Sequence, residues 1–156
     1  MNNIYITSCG KSDGIGSQIL SKILGMMFCE QHNFTYVHTP LFRIDVSEQD
    51  QEGIELKNNK QKLLQWVLSW EKFFSLNFNY INSNSFTNTI DLTDINKIEP
   101  NIESYLWYDF NPLSEINKYL TCNQKTLFLI KEFPKLNYYK IEIQNKIIQL
   151  IRKNYN

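Results

Sequence analysis

The fold is decided by the opening stretch Ile4-Tyr5-Ile6-Thr7-Ser8-Cys9-Gly10-Lys11-Ser12-Asp13-Gly14-Ile15-Gly16-Ser17-Gln18. Ile4 to Thr7 are β-branched or aromatic and run into polar punctuation, which predicts a short buried strand. Ser8 to Gly16 is a loop carrying three of the chain's five glycines. From Ser17 to Gln31 the apolar residues Ile19, Leu20, Ile23, Leu24, Met27 and Phe28 return at helical spacing. Ser21 and Gly25, four apart on that helix, permit close approach of a neighbour. His32-Asn33 ends the helix. Thr35 to His38 predicts a second strand, closed by Pro40. A strand–loop–helix–strand crossover makes its two strands parallel. Ligands of such sheets collect at the carboxyl ends of the strands, and the glycine loop lies at that edge.

The rest of the chain extends the same alternation. Residues 44–59 are polar and acidic, with Glu52-Gly53 read as a turn. Lys60 to Leu76 predicts a helix with Leu63, Leu64, Trp66, Val67, Trp70, Phe73 and Phe74 on a broad apolar face. Residues 77–104 are rich in Asn, Ser and Thr and read as irregular, apart from a short strand at Thr89–Leu92. Asn111–Leu120 predicts a short helix with Pro112 in its first turn. Thr126–Ile130 is a buried strand, and Tyr138–Arg152 a last helix with basic residues near its end. The expected fold is α/β, a three-layer Rossmann-like parallel sheet flanked by helices. Residues 1–156 are expected to form a single domain. The last helix feeds no further strand, so the chain is expected to be cut at an element boundary.

Composition narrows the functional classes. The chain of 156 residues has 16 Lys plus Arg against 16 Asp plus Glu, a net charge of zero. Such a balance exerts no long-range pull on nucleic acid or anionic membrane. Cys9, Cys29 and Cys122 are odd in number and form no CxxC pair, which argues against zinc and against a disulfide framework. Met1 to Ile6 holds no basic n-region, and no apolar run approaches the length of a membrane span. The expected location is cytoplasmic.

The turn Gly14-Ile15-Gly16-Ser17-Gln18 carries the chemistry. The first turn of a helix offers free backbone N–H groups and a partial positive charge. Glycines there let an anion approach the backbone, Ser17 can cap or bond a phosphate oxygen, and Gln18 can donate an amide N–H. The other reading is a tight turn whose glycines serve packing alone, and spacing does not separate the two. The dinucleotide fingerprint is absent, because Ile19 stands where its third glycine belongs. The Walker loop is absent too: Gly10-Lys11-Ser12 mimics its end, but Tyr5 stands at its first glycine.

With the strand before it and Phe34-Thr35-Tyr36-Val37-His38-Thr39-Pro40 after it, this turn resembles the opening of the α-1,2- and α-1,6-fucosyltransferase superfamily. Members typically begin with Gly-x-Gly-Asn/Cys-Gln; Gly14, Gly16 and Gln18 match, and Ser17 departs from Asn or Cys. Trp70-Glu71-Lys72-Phe73-Phe74 also resembles stretches of bacterial polysaccharide-type relatives. The specific match covers about the first 40 residues. The resemblance implies the N-terminal half of a GT-B fold, whose turn faces the β-phosphate of a GDP-sugar such as GDP-fucose. It implies no cofactor beyond that donor, and a glycan acceptor as second substrate. The defining His-x-Arg-Arg-Gly-Asp motif is missing, and the only arginines are Arg43 and Arg152. Departure of a diphosphate needs charge stabilisation, so the chain is expected to be inactive alone. It would associate with a missing C-terminal domain or with itself. The alternative is a small non-catalytic α/β binding or interaction domain.

Other candidates are weaker. His38 could touch an acceptor sugar or a phosphate, but a structural histidine bonded to a loop carbonyl is the preferred reading. Arg43 could meet a phosphate; pairing with Asp45 is preferred. His32 suits a helix end, and it is too far from His38 in sequence and element to suggest a metal pair. Trp66, Trp70, Phe73 and Phe74 read as core rather than as a sugar platform. Nothing selects a catalytic base among Glu99, Glu103, Asp109 and Glu115. Cys9 has no histidine near it in sequence to activate it.

Overall fold

The computed structural model describes residues 3–10, 14–41, 51–74, 85–94, 111–121 and 123–155. Its centre is a four-stranded sheet, parallel throughout. The strands are β1 (Ile4–Ser8), β2 (Thr35–Tyr36), β3 (Asn88–Leu92) and β4 (Thr126–Ile130), in the spatial order β2-β1-β4-β3. The helices are α1 (Ile15–His32), α2 (Gln51–Asn58), α3 (Lys60–Phe74), α4 (Leu113–Asn117) and α5 (Ile141–Tyr155), with a 3-10 turn at Leu136–Tyr138. This is the expected Rossmann-like α/β architecture. No described helix is long and apolar enough to cross a membrane.

The two central strands are the most apolar, as a sheet covered on both faces requires. β1 and β4 pair from Ile4 opposite Thr126 to Ser8 opposite Ile130. Ile4, Ile6, Phe128 and Ile130, which share one face, are all at most 1% exposed. Helix α1 covers that face. Its Ser21 Oγ lies 2.7 Å from Ser8 Oγ and donates to the Lys131 carbonyl at 3.1 Å. Gly25 is backed so closely that an added Cβ would stand 3.0 Å from Phe133 Cζ. The small pair Ser21 and Gly25 thus seats the helix on the sheet. Tyr119, just after α4, meets Phe128 edge-on at 5.4 Å. The α5 helix brings Ile147 into the same core and is tied to α1 by Lys140 N–H donating to Gln31 Oε1 at 3.0 Å.

Several boundaries differ from expectation. α1 begins at Ile15 with Gly14 as its N-cap, so Gly16 and Ser17 are inside the helix. The Glu52-Gly53 turn is instead part of α2, where Gly53 and Leu56 are buried. The break comes at Asn59, whose Oδ1 accepts from Gln61 N–H and Lys62 N–H, both at 3.1 Å, and so caps α3. The second strand keeps only Thr35–Tyr36, although Val37 N–H still donates to the Ile6 carbonyl at 2.8 Å. Within α3, Trp66, Val67, Trp70 and Phe74 pack against the core, whereas Leu64 and Phe73 are 59% and 47% exposed. The expected apolar face is therefore narrower than drawn, and Phe73 is not core. The last helix starts at Ile141, because the 3-10 turn takes up Tyr138.

Candidate functional site

The carboxyl edge of the sheet gathers the polar groups that the core excludes. β1 delivers Ser8, Cys9 and Gly10 to it, and the chain after β2 delivers His38 and Thr39. β3 ends at Leu92, next to Thr93, and β4 ends beside Lys131. Gly10 turns with φ of 84°, a conformation that glycine takes at little cost, and an added Cβ there would sit 3.2 Å from Thr93 Cγ2. Cys9 N–H donates to the Ile130 carbonyl at 2.9 Å, extending the β1–β4 pairing to the rim.

The first turn of α1 opens at this edge. Gly14 has φ −53° and ψ 156°, and among the described residues no side chain caps the helix. Ser17 N–H and Gln18 N–H both bond back to the Gly14 carbonyl, at 3.1 and 3.3 Å. Among the described residues, the amides of Ile15 and Gly16 donate to no acceptor. Gly14 and Gly16 are exposed, and a Cβ built on either meets no atom within 4 Å. Neither has positive φ. So among the described residues neither packing nor backbone conformation calls for glycine at 14 or 16. What an absent Cβ does leave is room for something to approach the two amides.

The side chains expected to assist behave differently. Gln18 is only 5% exposed, so its amide is turned into the protein rather than toward a ligand. Ser17 is half-buried and is not the cap. His38 does not face a ligand either: its side chain is fully buried, with Nε2 2.8 Å from Glu71 Oε2. The Glu71 carboxylate is thus one partner of this buried histidine. Arg43 and Asp45 lie outside the described residues, as do Glu99, Glu103, Asp109 and Cys122. Of the other sequence candidates, Glu115 pairs with Lys118 at 2.7 Å. Cys9 is a poor nucleophile, since burial and the nearby Asp91 carboxylate push its thiol up to about 11.

Two residues that the sequence reading passed over dominate this edge. Lys22 is 3% exposed. Its Nζ donates to the Thr39 carbonyl and lies 3.4 Å from Thr39 Oγ1. Thr39 Oγ1 in turn donates to the Ser8 carbonyl at 2.8 Å. Burial pulls the Lys22 amine down to about 8, against the upward pull of Glu71 and Cys9. Glu71, 5% exposed, accepts from His38 and from Leu41 N–H. Burial alone would raise its carboxyl; those hydrogen bonds, with the charges of His38 and Lys22, outweigh it and hold the group below its ordinary value. The signal was present in the sequence: Lys22 falls in the buried row Ile19–Lys22–Met26–Cys29 of α1, and Glu71 follows Val67 by one turn on the core side of α3.

A concavity lies elsewhere. A groove of about 300 Å³ runs between α1, β2 and α5, lined by Met26, Cys29, Phe34, Tyr36, Ile147 and Leu150. Met26 is twelve residues beyond Gly14, about 18 Å along the helix, so the groove is not part of the carboxyl edge. No three His, Cys, Asp or Glu among the described residues are placed to share a metal ion.

Compared with protein-family models, with curated proteins and with solved structures, the chain finds no match in any of the three. Its function is therefore argued from the edge itself.

Proposed function

We propose that the carboxyl edge binds the diphosphate of a nucleotide sugar at the Gly14–Gln18 turn. On this reading the chain is the N-terminal half of a GT-B glycosyltransferase of the fucosyltransferase-like kind. The full-length parent would transfer fucose or a related sugar from a GDP-sugar to a glycan acceptor. The observation that carries the reading is the pair of open glycines where α1 starts, with the amides of Ile15 and Gly16 donating to no acceptor among the described residues. A helix N-terminus holds an anion by such N–H groups and its dipole. Gln18, matched by resemblance, then serves the fold rather than the phosphate. Lys22, four residues beyond this turn in sequence, is buried and committed to Thr39. Charge for the leaving diphosphate would come from a second domain, and the chain alone binds without turning over.

The test is calorimetric titration with GDP of the wild type and of Gly16→Asp. An aspartate in the first helical turn suits the helix dipole and meets open space, so the variant folds. It repels an anion, and the expected loss of GDP affinity is at least about tenfold. Equal affinity in the two proteins removes the turn from the site.

A second reading is a non-catalytic interaction domain. It is favoured by Leu64, Leu68 and Phe73 of α3, which are 59%, 56% and 47% exposed. Sedimentation of the wild type and of Leu64→Lys/Leu68→Lys, read beside the GDP titration, separates the readings. Self-association that the double variant abolishes, in a wild type that shows no GDP binding, supports this second one.

A further inference from the structure

Helix α3 is amphipathic, yet its attachment is unusual. Glu71 is the only one of its residues that is fully buried. Trp66, Val67, Trp70 and Phe74 reach the core only in part. The carboxylate grips the segment that follows β2 at two points, Oε2 on His38 Nε2 at 2.8 Å and Oε1 on Leu41 N–H. Lys22 of α1 supplies opposite charge from a third element. Beside this grip, Trp70 Nε1 is buried and has no acceptor among the described residues. A buried donor without a partner favours whichever state hydrates it. The docked helix therefore combines one strong polar anchor with a built-in reason to leave.

We infer that α3 is a flap latched over the carboxyl end of β2 by Glu71, able to open as a unit while the sheet and α1 stay folded. Removing the carboxylate from a fully packed element would strip partners from His38 and Leu41 and destabilise the whole domain. For a flap, the same loss is relieved locally, because the freed groups and Trp70 meet water once α3 swings out. Opening would uncover His38, Thr39 and Leu41 at the edge of the sheet. The inference does not depend on which ligand binds there.

Acid should release the latch. Glu71 is held below its ordinary 4.5, so its contribution is complete above that pH and is lost as pH falls through the lowered value. The groups facing it are His38 and Leu41 N–H from the segment after β2, and Lys22 from α1. Tyr36 on β2 and Cys9 after β1 lie close enough for their titration to feel neighbouring charge, and both are held neutral by burial in this range.

Hydrogen exchange read by mass spectrometry on the intact chain tests this. In Glu71→Ala, protection of residues 60–74 should fall at least about tenfold, with residues 4–8 and 126–130 changed by less than about twofold. The milder Glu71→Gln, which keeps one acceptor, should give the same pattern at smaller amplitude. In the wild type, α3 should lose protection at a higher pH than β1 and β4 as acid is added. Equal losses in α3, β1 and β4, in the variants or in the wild-type acid series, overturn the flap. So does unchanged α3 protection in Glu71→Gln.

Discussion

Lys22→Met should stabilise the protein near neutral pH, and the pH profile of the gain identifies its cause. The amine is 3% exposed and titrates in the folded chain at about 8 rather than 10.5. A shift of that size corresponds to about 3 kcal/mol of destabilisation while the amine is charged. The sign follows from proton counting. Between the two values the unfolded chain binds more protons than the folded one, so wild-type stability rises with pH across that window. The penalty is complete below about pH 7, and between pH 8 and 9 about 1 kcal/mol of it is recovered. Methionine of similar length fills the site without charge, so Lys22→Met should exceed the wild type by up to about 3 kcal/mol at pH 7. The advantage then shrinks steadily toward pH 10.5. Urea unfolding of both proteins at pH 7, 8 and 9 gives the difference directly. Taking the difference matters, because the Cys9 thiol, raised from 9.0 to about 11, pulls stability the other way above pH 9. A constant gap between the two proteins from pH 7 to pH 9, or a wild type more stable than Lys22→Met at pH 7, refutes the assignment of Lys22 as a buried, strained charge.

Three further perturbations read other parts of the fold. Gly10→Ala forces a side chain into φ of 84° and against Thr93, and should cost about 1–3 kcal/mol in urea unfolding; a neutral result shows the turn to be relaxed. Gly25→Ala gains about 1 kcal/mol of helix propensity but pushes Phe133, at a cost of about 1–3 kcal/mol. Net destabilisation should be restored by Phe133→Leu. Burial lowers the pKa of His32, whose Nε2 lies 2.9 Å from Tyr138 Oη, so it favours the folded state above its ordinary 6.5 and this is lost as pH falls below that value. His32→Gln should flatten the pH dependence of melting between pH 7 and 5.

The strands and the main helices could be read from the chain because burial writes them as periodicity. Thr126–Ile130 matches residue for residue, since a central parallel strand is apolar on both faces and its bounds coincide with the apolar run. β2 was overdrawn because Val37 and His38 are buried without being paired as strand, and pattern reports burial rather than pairing. α2 was missed because Gly53 and a polar composition outweigh, in one dimension, the two buried positions that hold it. At the edge, the glycine turn was visible as a motif, but its neighbours were not. Lys22 and Glu71 are charged residues inside apolar stripes, and only the third dimension shows that one helix turns its amine, and another its carboxylate, toward the same end of β2. His38 was legible as a residue, but the carboxylate beside it was not, for the same reason.

Stability is conceded repeatedly around one end of the sheet. Gly16 sits exposed in a helix where alanine would be about 0.5–1 kcal/mol better, with nothing among the described residues needing its bareness. Lys22 is buried at a penalty that methionine would avoid. Trp70 hides a donor with no acceptor among the described residues. Elsewhere the rules of packing are kept: Gly25 is small because Phe133 presses on it, and even at the edge Gly10 is glycine because its φ demands it. Local rules broken without structural compensation concentrate where a chain does its work. Gly16→Ala and Lys22→Met combined should thus yield a more stable protein, since the two sites share no contact and their gains add. On the proposed function, that same protein binds GDP more weakly than the wild type. A double variant both more stable and unimpaired in GDP binding would mean that these concessions serve no ligand, and the case for the edge as a binding site would go with them.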